Sequence, residues 1–283
     1  MALKQTFLYP FARRFFAGLT LEDALARAAQ DNAHGVSATL DYLGEDVRDG
    51  TEAERARSEY SRIIKEIAAR GLDASVAIKL THIGLDISRE MAENSALELV
   101  AAARARGVFV WVDMEGSAHT QATAEIYRSL LREYPGGVGI ALQAYLRRTW
   151  DDLKSLASEG AKVRLVKGAY NEPPEIAITD NRELRRRFIE MVEYLLQGGR
   201  PFAIGTHDRA IIKAAEKMAV GRDGLEFQML MGVRDDMKLR LARTGRRVVE
   251  YVPYGSDWYG YGIRRLKEKR RNIAYFAQGL FGR

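Results

Sequence analysis

The chain has 283 residues, a formal charge of +6 at pH 7, 47% apolar residues and 29% charged ones, the balance of a globular protein able to bury a sizeable core. It contains no cysteine, which excludes a disulfide scaffold, thiolate catalysis and cysteine-ligated metal or iron–sulfur centres. No run of about 18 apolar residues occurs, so no membrane-spanning helix is expected, and the modest positive charge favours anionic ligands or acidic surfaces.

In chain order, the first segment, Phe7 to Leu19, is aromatic and basic, with no acid before Glu22. It lacks a secretory cleavage pattern. Pro10 and Gly18 limit any helix there, so a cap packed on the core is expected, with a targeting presequence or an interfacial membrane helix as alternatives. Thr20 followed by Glu22 and Asp23 reads as a helix start.

Short apolar, β-branched runs then recur at Val36–Leu40, Ser75–Leu80, Val108–Val112, Val138–Leu142, Val163–Val166, Phe202–Ile204, Leu225–Leu230 and Val248–Val252. Between them lie helical patterns at Thr51–Arg70, Ser88–Arg106, Gln121–Tyr134, Trp150–Glu159, Asn181–Leu196, Arg209–Met218 and Asp235–Thr244, punctuated by Gly71, Gly107, Gly136, Gly160, Gly198, Gly224 and Gly245 as C-terminal caps. Alternating strand and helix argues for a parallel sheet with right-handed crossovers. No glycine-rich dinucleotide fingerprint follows the first strand, so a single (β/α)8 barrel over residues 1–283 with an N-terminal helical cap is expected rather than an open doubly wound sheet.

In such a barrel the functional groups project from the carboxyl ends of the strands. Those ends carry Asp41 and Glu45, Lys79, Asp113 and Glu115, Gln143 and Tyr145, Lys167 and Tyr170, Thr206 to Asp208, Gln228, and Tyr251. A barrel strand has no solvated face in its middle, so Arg164 must be buried and needs an anionic or electron-rich partner. Gly168 and Ala169 would let backbone N–H groups approach a phosphate. Lys79 and Asp113, on neighbouring strands, are expected to pair. Lys79 or Lys167 would instead be a Schiff-base nucleophile if burial depressed its pKa. The four histidines show no paired ligand spacing, so no metal is expected. The last strand leads through Tyr254, Trp258, Tyr259 and Tyr261 into a helix with Arg264, Arg265 and Glu268. Its three- and four-residue spacings build a surface able to bind both the carboxylate and the ammonium of an amino acid, or an ordinary solvated ion-pair face. The basic tail Lys267 to Arg271 suits a helix C-terminus, and no aromatic-basic interleaving accompanies it, so nucleic-acid binding is not expected.

Taken in order, Leu142-Gln-Ala-Tyr145, Arg164-Leu-Val-Lys-Gly-Ala-Tyr170, Gly205-Thr-His-Asp208, Glu226-Phe-Gln-Met-Leu230, Tyr251-Val-Pro-Tyr-Gly255 and Ile263-Arg-Arg-Leu-Lys-Glu268 resemble proline dehydrogenase. That flavoenzyme occurs alone in bacteria and fused in bifunctional proline-utilisation proteins. The resemblance implies a distorted (β/α)8 barrel, FAD as cofactor, L-proline as substrate, Δ1-pyrroline-5-carboxylate as product, and a membrane quinone as electron acceptor. It implies a cytoplasmic protein, with peripheral contact to the membrane's inner face. Arg264 and Arg265 would bind the substrate carboxylate and Glu268 its amino group, while Lys79, Asp113, Tyr170, Leu230 and Tyr251 would line the pocket. Flavin contacts would fall to Gln143, Arg164, Val166, Lys167, Gly168, Ala169, Thr206, His207 and Gln228, with Arg164 near flavin N5. Two features depart from the family pattern: Asn171 stands where the bifunctional enzymes commonly have tryptophan, and Lys269 to Asn272 replaces a shorter polar exit. Hydroxyproline dehydrogenase is the nearest alternative, which a tyrosine at position 251 disfavours by leaving little room for a ring hydroxyl. A Schiff-base lyase and a membrane- or nucleic-acid-binding module are the others.

Overall fold

A computed structural model describes residues 3–266. Eight strands, β1 Ser37–Tyr42, β2 Ala74–Ile78, β3 Val110–Val112, β4 Val138–Gln143, β5 Lys162–Val166, β6 Phe202–Gly205, β7 Leu225–Leu230 and β8 Arg247–Tyr254, pair in parallel and in sequence order. β8 closes on β1, with Thr39 opposite Tyr251, so the sheet is a closed barrel. Helices α3 Gly50–Ala69, α4 Arg89–Arg104, α5 Thr120–Glu133, α6 Thr149–Ser158, α7 Asn181–Gln197, α8 Arg209–Met218 and α9 Asp235–Arg243 form the outer layer after α1 Leu3–Ala12 and α2 Leu21–Ala33. The expected (β/α)8 barrel is thus what the chain adopts.

The main core lies between strands and helices. In α3 the Asp49 carboxylate accepts from the Thr51 and Glu52 amides, satisfying donors that the first turn leaves open. Tyr60, Ile63, Ile64 and Ile67 then fall on one stripe, and all are buried. Each such side chain contributes about 1.5–3 kcal/mol of burial. The barrel interior is packed differently. Trp111 fills its lower part, where Gly139 leaves room: a Cβ there would sit 2.5 Å from the indole. Ala141 and Ala203 flank Arg164 in register, and Gly205 flanks Val166. Small residues therefore widen the interior toward the carboxyl-terminal rim.

The N-terminal segment does pack as a cap, with Ala12, Phe15 and Phe16 buried. Pro10 does not end its helix. α1 runs on to Ala12 and then tightens into a 3-10 turn over Arg13–Phe15, although Pro10 forgoes the bond its N–H would have made to the residue four back. Thr20 and Asp23 form the reciprocal cap of α2. Two glycines miss the expected cap positions. Gly198 keeps right-handed geometry while Gly199 takes the positive φ of 66°. Gly224 stands at the entry to β7, whereas α8 ends at Met218, capped by Ala219, with Gly221 at φ 71°.

Charge is buried outside the barrel too. Glu250 of β8, fully buried, receives Arg27 Nε of α2 at 2.6 Å and Lys238 of α9. Arg27 also pairs with Asp31 at 3.1 Å and Lys238 with Asp235 at 2.8 Å. Burial raises the Asp31 carboxyl and lowers the Lys238 ammonium from their ordinary values.

Candidate active site

Arg164 of β5 points into the barrel and is 3% exposed. Its Nη1 donates to Gln228 Oε1 at 3.0 Å and its Nη2 to Asp113. The guanidinium lies 4.9 Å from the Trp111 ring and 5.6 Å from that of Tyr251, a desolvated cation–π setting. Burial lowers its pKa, yet an arginine in this position stays charged. Gln228 is oriented from behind, since its Nε2 donates to the buried Glu226 at 2.6 Å, leaving Oε1 to face Arg164. Tyr251 donates its hydroxyl to Asp113 Oδ2 at 2.6 Å, and burial pushes its phenol well above the usual range.

The expected Lys79–Asp113 pair does not form. Lys79 lies past the end of β2 and reaches Asp41 of β1 instead. Burial works against its ammonium, but the Asp41 carboxylate outweighs it and holds the pKa above that of an ordinary lysine. The pairing with Asp41 favours the ammonium form of Lys79, which counts against its service as a Schiff-base amine.

On the other side of the mouth, Lys167 Nζ meets Asp208 Oδ2 at 2.7 Å, where Arg185 Nε also arrives at 3.1 Å. Burial would raise this carboxyl, but the two cations hold it low. Asp208 caps α8 as well, accepting from the Ala210 amide at 3.0 Å, so Lys167 is fixed to the start of a helix. Thr206 is buried and its hydroxyl accepts from the Asp208 amide at 3.2 Å. His207 Nε2 accepts from the Leu230 amide at 2.9 Å, which places the proton on Nδ1. Burial first, then Arg265 and Lys238, bring its pKa down to about 3. Gln143, also buried, donates from Nε2 to the Glu115 carbonyl at 2.8 Å and accepts from the Ala169 amide at 3.4 Å. Val166 stands between Gln143 and Gly205 in register. Gly168 has φ 119°, and a Cβ there would overlap the Tyr145 ring. Only glycine fits that turn.

Residues 258–266 are helical and carry Arg264 and Arg265. Arg264 Nη1 donates to Glu45 Oε1 at 3.0 Å, and Tyr170 donates its hydroxyl to Glu45 Oε2 at 3.3 Å. The Arg265 guanidinium lies 5.5 Å from the Tyr261 ring. Glu268 falls outside the described residues, as do Lys269 to Asn272.

Glu45, which its sequence position marks only as an acid after the first strand, joins the site through Arg264 and Tyr170. Its position is fixed by buried bonds. The Asp46 amide donates to Thr81 Oγ1 at 2.9 Å; the Thr81 amide donates to Glu115 at 3.1 Å and its hydroxyl donates there too. The Glu115 carbonyl holds Gln143, Gln143 holds the Ala169 amide, and Tyr170 returns to Glu45. Five strand ends are thereby tied in one hydrogen-bonded ring. Burial raises the Glu115 carboxyl, and Asp46 sits at φ 59°, a costly conformation for a residue with a side chain.

The site therefore divides. β4 to β7 present a wall of guanidinium, ammonium and amide donors suited to a large, electron-rich anionic group. β1, β2, β3 and β8 present Asp41–Lys79, Asp113 and Tyr251, with the Arg264–Glu45 pair above. Among the described residues, no group of three or more histidine, aspartate and glutamate side chains is arranged to hold a metal.

Comparison with known proteins identifies the family. The profile of the proline dehydrogenase family matches residues 24–278. Proline dehydrogenase 1 of Bacillus subtilis subsp. natto is 37% identical over 273 residues, covering 95% of this chain and 90% of the relative. Proline dehydrogenase of Deinococcus radiodurans is 33% identical over 281 residues, 96% and 91% of the two chains. In three dimensions, proline utilization A of Bdellovibrio bacteriovorus, solved after inactivation by N-propargylglycine, superposes with a TM-score of 0.89 at 25% identity, over 99% of this chain and 34% of that one. The chain thus spans about a third of that longer protein. The chain belongs to the proline dehydrogenase family.

Proposed function

We propose that the protein is an FAD-dependent L-proline dehydrogenase that forms Δ1-pyrroline-5-carboxylate and delivers the electrons to a membrane quinone. The observation that carries this reading is the buried Arg164, held by Asp113 and Gln228 in a well widened by Ala141, Ala203 and Gly205. FAD supplies, at its N5, the two-electron acceptor for a hydride leaving the ring carbon beside the substrate nitrogen. Arg164 would hold positive charge beside that acceptor, where added electron density would be favoured. Gln143, Gln228 and the Nδ1–H of His207 offer directed hydrogen bonds, while Lys167 and the backbone around Gly168, Ala169 and Thr206 suit the phosphates. Val166 supplies an apolar contact in the same wall.

For the substrate, Arg264 and Arg265 bind the carboxylate, and Glu268 accepts from the amine. Glu45 occupies Arg264 beforehand, so an incoming carboxylate exchanges one anionic partner for another. The pair is partly exposed, so the exchange costs Arg264 little extra desolvation. Tyr170, Leu230 and Tyr251 wall the ring, and Lys79 with Asp41 fixes the charge at its side. The free-amine substrate is the reactive one, so loss of the ammonium proton governs the pH profile. Tyr251 is anchored by Asp113 at 2.6 Å, which leaves little space for a ring hydroxyl. Proline is therefore preferred to 4-hydroxyproline.

We read residues 1–283 as one catalytic unit in the cytoplasm, touching the membrane's inner face. Among the described residues no helix is long and apolar enough to cross a membrane. Phe11 and Leu19, 58% and 41% exposed, beside Arg13 and Arg14, suit peripheral contact. Anaerobic addition of L-proline to the FAD-loaded protein is expected to bleach the flavin absorbance. Persistence of the oxidised spectrum, or a higher kcat/KM for hydroxyproline, refutes the respective assignment.

A further inference from the structure

The helix over 258–266 is not positioned by its chain connection alone. Its residues Trp258, Gly262 and Leu266 are four apart and share one face. That face lies on the N-terminal cap. Phe16 stacks on Trp258 with centroids 5.6 Å apart and rings at 10°, and Tyr9 meets Trp258 edge-on at 5.1 Å. Backbone bonds hold the cap to the end of β8, Ala17 to Pro253 at 2.7 Å and Gly255 to Gly18 at 2.9 Å. The tightest approach is at Gly262, where a Cβ would lie 2.9 Å from the Cβ of Ala12 and 3.5 Å from Trp258. Arg264, two residues on, points about 200° round the helix from Gly262, away from the cap.

We propose that the N-terminal cap is a positioning element for substrate binding, and that the Gly262–Ala12 contact sets how far the Arg264-bearing helix stands from the barrel mouth. The inference rests on the reading of Arg264 as a carboxylate-binding group. The cap itself touches neither substrate nor cofactor. It acts as a stop behind the helix, and its aromatic stack resists sideways sliding. Adding one methyl at position 262 forces the helix away from Ala12, and with it Arg264 relative to Asp113, Tyr170 and Tyr251.

Steric complementation tests this. Gly262→Ala is expected to raise the KM for proline about tenfold, since a shift of about 1 Å suffices for losses of this order or more, while kcat and flavin content change little. Alanine is the better helix former, so a loss of local helix cannot be the cause. Adding Ala12→Gly to that variant reopens the space and is expected to restore most of the KM; thermal melting of both confirms folding. If Gly262→Ala does not fold, Ala12→Val presses on the same contact from the other side and must raise KM in the same way. A wild-type KM in the single variant, or a raised KM that Ala12→Gly fails to recover, overturns the inference. Failure of the parent protein to oxidise proline overturns the assigned activity instead, so the two outcomes separate.

Discussion

Removing the Asp113 carboxylate is the sharpest single perturbation of this site. In Asp113→Ala the buried Arg164 loses one of two acceptors, and the Tyr251 hydroxyl loses its partner. Stripping one member of a buried ion pair costs about 3–5 kcal/mol. Here Gln228 still accepts from Arg164, two rings still face it, and the Asp113 side chain was 14% exposed, so water reaches part of the gap. A loss of about 2–3 kcal/mol remains, or about 3–5 °C in Tm for a chain of this size. Thermal melts of the cofactor-free protein measure it without involving catalysis. The double variant Asp113→Ala/Arg164→Met removes the stranded charge as well, and should recover about 1–2 kcal/mol relative to the single variant. A single variant within about 1 °C of the parent, or a double variant with additive loss, refutes the buried pair as the organising contact.

Other outcomes follow from the same geometry. Arg264→Met is expected to weaken proline binding at least tenfold while FAD binding, measured by fluorescence quenching, changes less than twofold; equal losses would make that helix purely structural. Borohydride in the presence of substrate carbonyls is expected to leave Lys79 unlabelled in intact-mass and peptide spectra, because Asp41 keeps it an ammonium; an adduct there contradicts the pairing. His207 has its pKa lowered from 6.5 to about 3, so the unfolded chain binds the proton first. Its stabilising contribution is complete above pH 6.5 and falls as pH drops toward 3, amounting to about 1–2 kcal/mol between pH 7 and 5. In urea titrations His207→Asn should therefore lose less stability over that interval than the parent does, and identical losses would show that His207 does not titrate as a buried group.

The barrel was legible because each strand is buried on two faces and so stands out as a β-branched run between amphipathic helices. Arg164 was legible for the same reason, as a charge where no solvated face exists. Partner choice was not. Strand order makes both β1 and β3 neighbours of β2, and nothing in spacing tells whether the long Lys79 side chain leans toward Asp41 or Asp113. Asp113 is taken by Arg164 from β5, across the barrel, a contact invisible to adjacency along the sheet. Glu45 showed itself only as one more acid at a strand end, since its role depends on Thr81, Glu115 and a helix more than two hundred residues away. The helix through Pro10 and the positive φ at Gly199 rather than Gly198 are boundary matters, set by local hydrogen bonds.

The buried Glu250 bears on how the barrel closes. β8 makes the final seam, pairing with β7 on one side and β1 on the other. Sliding it by two residues would keep its inward and outward faces and most of its apolar contacts, so hydrophobicity alone discriminates weakly against that error. In the slipped seam Glu250 would sit roughly 6.6 Å from its place, leaving the Arg27 and Lys238 cations without their shared acceptor and a carboxylate stranded among apolar side chains. The native charge cluster contributes little net stability, but it makes the misaligned seam expensive, and so serves as a proofreading mark on the register of the strand that closes the barrel.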